Sequence, residues 1–565
     1  MIKNTYDAIV VGAGMSGGWA AKEFCDQGIK TLLLERGPNV EHIKDYPTAN
    51  TMPWEFKHRR RLTEKEIREN PIISKCYAFK EDSKHFFVKD DHHKYIQKKP
   101  FDWLRGYQVG GKSIMWARQV QRWSRFDFEG PARDGYAVEW PIGYDDIKDW
   151  YTHVEKFVGV SGNKDGLDTL PDGDFLKTWE ANAVEEYFSK TIKKNYSDRH
   201  VIHGRAAHLT ESKPVFIKQG RGLCISRTIC QRGCPLGGYF NANSTLIPWA
   251  SRTGNLDLKP NSVVHSIIYD NKKNKAVGVR VINDITKKTE EYYSKVIFVT
   301  AATLNTNLIL LNSKSSRFPE GLGNDNGLLG KYIAFHNYRG VIRAKFEGMK
   351  NYTVKGRKPT SHYLPRFRNV YKQETDFLRG YAAGFSARPE REIIRTGLGK
   401  NLLDNILKTK ETGVWNVSSH MMGETIPKVT NQVYLDSEKV DQWGIPLLNI
   451  DVDYDKNDEK MVKDFFEQFE EMFTIAGFKN IKIKDNRKLR NPGNDIHEMG
   501  GVRMGNDPKT SLLNKWNQLH NCKNVFVSDG ACMTSTSTQN PSLTFMAISA
   551  RAANYAIKEL KKNNI

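Results

Sequence analysis

Apolar residues along this chain fall into short unbroken runs near the start and into alternating or helically spaced patterns further on. Asp7-Ala8-Ile9-Val10-Val11 leads into Gly12-Ala13-Gly14-Met15-Ser16-Gly17-Gly18, then a helical stretch to about Gly28, then Thr31-Leu32-Leu33-Leu34-Glu35. Continuous apolar runs bounded by glycine suit strands covered on both faces, and a helix between two of them predicts a βαβ unit of a parallel sheet. Further strands are predicted at residues 256–258, 263–269, 276–281 and 295–299, with a helix at 305–311 that returns the chain to the same sheet. Residues 340–454 are strand-rich, with period-two alternation at 341–346 and 447–452, whereas 150–158, 181–194 and 460–476 carry the spacing of amphipathic helices. Residues 46–100 are polar and irregular, the Lys/Asn-rich end 558–565 reads as a frayed tail, and no repeat of solenoid or propeller period is present.

At 565 residues the chain exceeds the roughly 100–200 residues of one domain, so at least two interleaved domains are expected. Hydrophobic residues make up 39%, aromatics 11% and charged residues 27%, the balance of a folded soluble protein. The net charge of +21 favours anionic partners in general, yet the lysines are scattered and no basic run interleaves with aromatics, which argues against nucleic-acid binding. Apolar runs such as 8–11 and 296–299 fall far short of the roughly 20 residues that span a bilayer, so no transmembrane segment is expected. No signal-like segment precedes the first strand, and from that alone the expectation is a cytoplasmic protein.

Gly12, Gly14 and Gly17 form a GxGxxG directly after a strand and at the start of a helix, and Glu35 ends the following strand. The first glycine permits the tight turn, the second lets the backbone approach a pyrophosphate, the third lets helix and strand pack, and the helix N-terminus meets the negative charge. Glu35 would accept hydrogen bonds from a ribose diol. The pattern predicts dinucleotide binding and leaves FAD and NAD both open.

A resemblance separates them. Placed at the start of the chain and followed by Glu35-Arg36-Gly37, the fingerprint resembles that of the glucose-methanol-choline (GMC) oxidoreductases. Gly106-Tyr107-Gln108-Val109-Gly110-Gly111-Lys112-Ser113 is similar to that family's second glycine-rich segment, which lies along the flavin. Asn524-Val525-Phe526-Val527-Ser528-Asp529-Gly530 is similar to the strand and turn that bring an acid and a glycine to the FAD. The resemblance covers most of the chain and is weakest at about 340–490. It implies an α/β fold in which a Rossmann-like FAD-binding domain (1–45, 100–130, 220–335 and 491–565) is interleaved with a sheet-and-helix substrate domain and cover segments (46–99, 131–219 and 336–490). It implies FAD contacts from Gly12, Gly14, Met15, Ser16, Gly17, Glu35 and Arg36 in the first unit, and from Gly110, Gly111 and Ser113 in the second. Val263, Ala301, Asp529, Gly530 and Asn540 complete the implied set. In the related pyranose oxidases a histidine just before a tryptophan carries a covalent bond to the flavin; here Met115 precedes Trp116, and a thioether cannot form that bond, so FAD is expected to be non-covalent.

Oxidising an alcohol requires one group to accept the hydroxyl proton while hydride leaves carbon, and a second polar group to orient the oxygen. Histidine suits the first task at neutral pH. The segment 495–505 around His497 resembles the family's His-x-x-Gly-Thr, with Gly501-Val502 where Gly-Thr is common, and Gln539-Asn540-Pro541-Ser542-Leu543-Thr544 resembles the segment that supplies its histidine or asparagine partner. The match makes His497 the base and Asn540 the orienting partner, an amide able to donate without competing for the proton. His336, His420 and His520 read as structural histidines, although His420, in Ser418-Ser419-His420-Met421, could face substrate.

Of seven cysteines, three crowd together as Cys224-x5-Cys230-x3-Cys234-Pro235, a spacing unlike a secreted disulfide scaffold. Three thiolates suit a three-iron cluster, or a four-iron one with a ligand from elsewhere; zinc would want a fourth ligand, and a plain structural turn is the alternative without metal. The segment resembles one in catalytic subunits of bacterial membrane-associated sugar dehydrogenases, which implies a 3Fe-4S cluster relaying single electrons from flavin to a cytochrome. Cys25, Cys76, Cys522 and Cys532 read as buried thiols.

Together these segments resemble glucoside 3-dehydrogenases and gluconate dehydrogenase large subunits most. The expectation is an FAD-dependent dehydrogenase taking hydride from a sugar hydroxyl carbon, C3 of a glucoside, with a cytochrome or other non-oxygen acceptor and a small partner subunit. A gluconate, polyol or pyranose oxidoreductase, including an oxidase, is one alternative; an FAD-containing lyase or a non-catalytic electron-transfer subunit is another. Related dehydrogenases are exported folded with a signal-bearing partner, so a periplasmic location stands beside the cytoplasmic one.

Overall fold

The computed structural model describes residues 4–52, 54–135, 138–350, 352, 359–390, 398–403 and 413–565. The fingerprint folds as its spacing requires: strand Thr5–Val11, a turn, helix Met15–Asp26, and strand Thr31–Leu34 parallel to the first, with Ala8 opposite Thr31 and Val11 opposite Leu34. Pieces far apart in sequence extend this sheet. Across it run Gln518–Leu519, Cys522–Val527, Thr289–Val299, Thr5–Val11, Thr31–Leu34 and Leu256–Lys259, the last five mutually parallel. The hairpin Ser262–Asp270 with Lys275–Asn283 joins it through Thr289–Val299. Ala8 to Val10, Leu32 to Leu34 and Val296 to Val299 are fully buried, as unbroken apolar runs demand in a sheet covered on both faces.

A second, seven-stranded sheet is antiparallel: Lys479–Asp485, Gly340–Phe346, Trp415–Glu424, Tyr381–Pro389, His362–Leu364 and Ile202–His203 in that order, with His336–Asn337 also on Trp415–Glu424. Helix Lys456–Ile475 packs on it, its Phe465, Phe469 and Phe473 meeting Phe188 and Phe385 in a core separate from that of the first sheet. A third sheet, Met499–Gly501, Lys331–Ala334, Gln432–Val440, Pro446–Asp451 and Ile96–Gln97, lies where the first two meet in sequence. This is the mixed α/β architecture the sequence predicts. The end of the chain departs from expectation in one respect: helix Ser542–Lys561 runs past residue 558, and Leu560 and Ile565 pack on the main core, because the Ala-rich face of that helix is buried against helices Met15–Asp26 and Tyr144–Val158. Among the described residues no helix is long and apolar enough to cross a membrane.

Candidate active site

The carboxyl ends of the parallel strands open into a cavity of about 390 Å³. Gly12, Gly14, Met15, Ser16, Glu35, Arg36, Gly111, Ser113, Val263, Ala301, Asp529, Gly530 and Asn540 all line it, so segments hundreds of residues apart share one wall. Gly17 and Gly110 stand behind it. A Cβ at Gly17 would lie 1.8 Å from the Gly12 carbonyl oxygen, and one at Gly110 would lie 1.6 Å from Asn243 Oδ1, so both serve close packing of the wall. A Cβ at Gly14 would meet no protein atom within 4 Å, because that side is cavity, and the helix it caps has no side-chain cap. Free N–H groups beside an open space fit a pyrophosphate.

Glu35 is buried and accepts from Ala13 N at 3.0 Å and Gly37 N at 3.1 Å, which fixes its carboxyl at the cavity edge. Arg36 is held between the rings of Tyr107 and Trp443, its guanidinium carbon 4.3 and 5.1 Å from their centroids. Trp443 lies in the hairpin that joins Gln432–Val440 to Pro446–Asp451, and Asp441 and Ile445 of that hairpin also line the cavity. Nothing local in the sequence marks these three. Asp529 accepts from Thr306 Oγ1 at 2.6 Å and from Ala531 N at 2.9 Å, and burial pushes its carboxyl up to about 6. Met115 lines the cavity.

At the other end of the cavity a β-register sets the geometry. Met499–Gly501 pairs antiparallel with Lys331–Ala334, Met499 opposite Ala334, and the segments that lead out of this pair carry His497 and His336. Their Nδ1 atoms are 2.8 Å apart with the rings at 90°. His336 Nε2 lies 3.0 Å from the carbonyl oxygens of Thr536 and of Ser537, and His497 Nε2 lies 3.5 Å from Asn540 Nδ2. Burial pushes His336 down to about 4; burial first, then His336 and Lys112, hold His497 well below the usual histidine range. Both rings are therefore neutral at neutral pH. Asp495 accepts from His336 N at 2.8 Å, and burial pushes its carboxyl up to about 7. Ile496 and Ser537, neither of them glycine, have φ of +68° and +60°, so backbone strain is stored on both segments that frame the histidines.

The frame is held from behind by buried charges. Ser537 Oγ donates to Asp127 Oδ1 at 2.9 Å; Asp127 pairs with Arg366 at 2.7 Å, Arg366 with Glu424 at 2.8 Å, and Glu424 also with Arg379. Sequence reasoning left His336 among the structural histidines and did not reach this network, since every link spans distant segments. His420 is half-buried and does not line the cavity.

The three-cysteine segment forms a closed loop: Gly222 N donates to Leu236 O at 2.7 Å and Cys224 N to Leu209 O at 2.9 Å, with left-handed backbone at Ser226, Thr228 and Gly233 curling it. Cys224, Cys230 and Cys234 are half-buried, and burial first, then the neighbouring Cys230 and Cys234, push Cys224 up to about 11. Cys230 Sγ lies 3.9 Å from His208 Nε2. Arg118, which acts electrostatically on Cys224, and Tyr77, on which Cys230 acts electrostatically, both line the cavity. All seven cysteines are free; Cys25, Cys76, Cys522 and Cys532 are buried.

Comparison with known proteins bears on the family. The chain is 27% identical to the 2-methyl-1,2-propanediol dehydrogenase of Mycolicibacterium austroafricanum, over 97% of this chain and 94% of that protein. It is 25% identical to the fructose dehydrogenase large subunit of Gluconobacter japonicus, over 98% of each. It is 21% identical to the gluconate 2-dehydrogenase flavoprotein of Pantoea cypripedii, over 99% of this chain and 94% of that protein. Family models of the GMC oxidoreductase N- and C-terminal parts match residues 6–336 and 427–549. The chain therefore belongs to the GMC oxidoreductases, enzymes that act on CH–OH groups and whose family cofactor is FAD.

Proposed function

We propose that this protein is an FAD-dependent sugar dehydrogenase in which His497 accepts the hydroxyl proton and Asn540 orients the oxygen. The observation that carries the reading is the pairing of His497 Nε2 with Asn540 Nδ2, 3.5 Å apart, on the wall of a cavity whose far end suits a dinucleotide. Bound FAD would supply a two-electron hydride acceptor. An alcohol oxygen placed between the two groups can give its proton to Nε2 while accepting from the Asn540 amide, which lowers the cost of charge on oxygen as the C–H bond weakens. Glu35 and Arg36 would hold the nucleotide end, the helix N-terminus at Met15–Ser16 the pyrophosphate, and Asp529 and Gly530 the polar edge near Thr306. A site without a histidine before Trp116 holds the cofactor non-covalently.

The substrate reading is a sugar or polyol, with C3 of a glucoside the first choice. The relatives' names support polyols broadly: a propanediol, fructose and gluconate. For the acceptor, the proposal is a cytochrome reached through a 3Fe-4S cluster on Cys224, Cys230 and Cys234. Support comes from the closed loop that brings three thiols into electrostatic reach of one another and of cavity-lining Arg118; cluster iron would offset the burial that otherwise keeps Cys224 protonated.

Anaerobic titration of purified protein with methyl glucoside, glucose, fructose and gluconate tests this, following flavin absorbance and iron content together. Bleaching by a glucoside with about three irons per flavin supports the full reading. Bleaching without iron keeps the dehydrogenase and removes the cluster, and no bleaching by any alcohol favours a lyase or electron-transfer subunit. Full bleaching by His497→Gln would remove the base assignment.

A further inference from the structure

We infer that His336 is a positioning residue for alcohol oxidation: it locks His497 in the one neutral tautomer whose Nε2 lone pair faces the substrate, and it keeps the His497 Nδ1–H hydrogen-bonded while Nε2 takes up the proton. This rests on His497 being the base, as proposed above. No feature of the sequence around His336 marks it; the assignment comes from contacts on both of its nitrogens.

The argument is one of donors and acceptors. His336 Nε2 is 3.0 Å from two carbonyl oxygens, those of Thr536 and Ser537, and carbonyls only accept. Nε2 must carry the hydrogen. The ring is neutral, so its Nδ1 holds a lone pair, and that lone pair points at His497 Nδ1 across 2.8 Å. His497 Nδ1 must then donate, which leaves its Nε2 bare toward Asn540. Turning the His336 ring over would put carbon against the carbonyls and against His497, losing three contacts at once. Placing the His497 hydrogen on Nε2 instead would set two lone pairs against each other 2.8 Å apart.

The groups around the pair leave this partner role to His336. Glu424, opposite His336 in the neighbouring strand, is held by Arg366 and Arg379; Glu498 is paired with Lys112 at 3.3 Å; Asp495 uses one oxygen on the His336 N–H. None of these carboxylates hydrogen-bonds the His497 ring; Asp495 meets only the backbone of His497. Ligand atoms of His336, Asp495 and His497 do converge within 4.8 Å of one another, but 2.8 Å between two Nδ1 atoms is a hydrogen bond, shorter than the roughly 3.3 Å between nitrogens sharing one metal at 2.0–2.1 Å. In the step itself the substrate O–H breaks and its proton goes to His497 Nε2, while the oxygen pair forms C=O as the C–H bond breaks; bound FAD would supply the acceptor for the hydrogen and its electron pair. His497 becomes an imidazolium whose Nδ1–H still donates to His336.

The test compares His336→Asn, whose amide oxygen takes the place of the Nδ1 acceptor, with His336→Leu, of similar bulk and no acceptor. Each is checked for flavin content and melting temperature. Two quantities are then read on the holoenzyme. The first is the limiting rate and half-saturation of anaerobic flavin reduction by the best substrate. The second, without substrate or turnover, is the midpoint of His497 C2-hydrogen exchange against pH by mass spectrometry, with Asp495→Asn as a control for the neighbouring carboxyl. The expectation for Leu is a limiting rate lower by about 10²–10⁴-fold, half-saturation within about threefold, and a His497 midpoint shifted to lower pH, because the imidazolium loses its acceptor. Asn should restore the midpoint and bring the rate within about tenfold of the parent. Equal loss in Asn and Leu with an unmoved midpoint, or full activity in Leu, overturns the inference. Should Leu not fold, His336→Gln, which keeps a donor for the carbonyls and no acceptor near Nδ1, serves the same comparison. If His497→Gln is inactive while His336→Leu is fully active, this inference alone falls; if His497→Gln is active, the base assignment falls first.

Discussion

Two glycines three residues apart should fail in different ways when each is replaced by alanine. At Gly17 the added Cβ would lie 1.8 Å from the Gly12 carbonyl oxygen and 2.7 Å from Thr300 Oγ1. Both atoms are fixed, the second by its hydrogen bond to Val11 O at 2.8 Å, so the helix start must retreat by about an ångström or more to reach van der Waals distance. Overpacking of this kind costs about 1–3 kcal/mol, which for a domain of this size lowers the melting temperature by roughly 2–10 °C. The same retreat stretches the N–H contacts to a pyrophosphate; losing one charge-assisted hydrogen bond, about 1.5–3 kcal/mol, weakens flavin binding roughly 10–150-fold. At Gly14 the Cβ meets no protein atom within 4 Å and φ is −79°, so alanine fits the fold and only intrudes on the cavity. Flavin-stripped Gly14→Ala should melt within about 1 °C of the parent and bind FAD at least about tenfold more weakly. Calorimetry of stripped proteins and quenching of FAD fluorescence on rebinding measure the two effects separately. Wild-type melting and flavin affinity in Gly17→Ala, or a destabilised stripped Gly14→Ala, would refute the reasoning.

With His497 as the proposed base, flavin reduction needs it unprotonated, and its pKa is held well below 6.5, so the rate should stay level from neutral pH to below 6.5 and fall only in more acid buffer; a wild-type midpoint at 6.5 or above contradicts this. Lys112→Met, which removes a nearby cation and releases Glu498, should move that acid limb to higher pH in the same stopped-flow profile. Glu424→Gln leaves Arg366 and Arg379 buried with too little negative charge and should cost about 3–5 kcal/mol in denaturant unfolding, whereas a loss under about 1 kcal/mol would mean the network is hydrated. Trp443→Ala removes one face of the stack on Arg36 and should weaken FAD binding by about 0.5–2 kcal/mol without changing the limiting rate of the reloaded enzyme, as read by rebinding and single-turnover reduction.

Much of the nucleotide end was legible in the chain because its determinants are local. A glycine that must approach a carbonyl, a helix start and the acid ending the next strand lie within one βαβ unit, and unbroken apolar runs announce strands covered on both faces. The resemblance then carried His497 and Asn540, which the fold sets 3.5 Å apart although each segment taken alone is an ordinary loop. The end of the chain is exposed at 558 and 561–564, as its Lys and Asn composition predicts, but the helix continues to Lys561 because its alanine face is buried, which is visible only once its partner is known.

The sequence by itself determined the parallel nucleotide-binding unit, the family and the pair of segments that carry the polar groups of the site. Only the tertiary structure decided how those groups act. The pairing of Met499–Gly501 with Lys331–Ala334, a long-range property with no local signature, brought the segments of His336 and His497 together; the carbonyls of Thr536 and Ser537 decided where the hydrogen on that pair sits; and a hairpin at residues 440–446 brought Trp443 over Arg36. Each of these joins chain segments whose encounter costs loop entropy and is repaid only when whole sheets assemble, so no short window of residues encodes it.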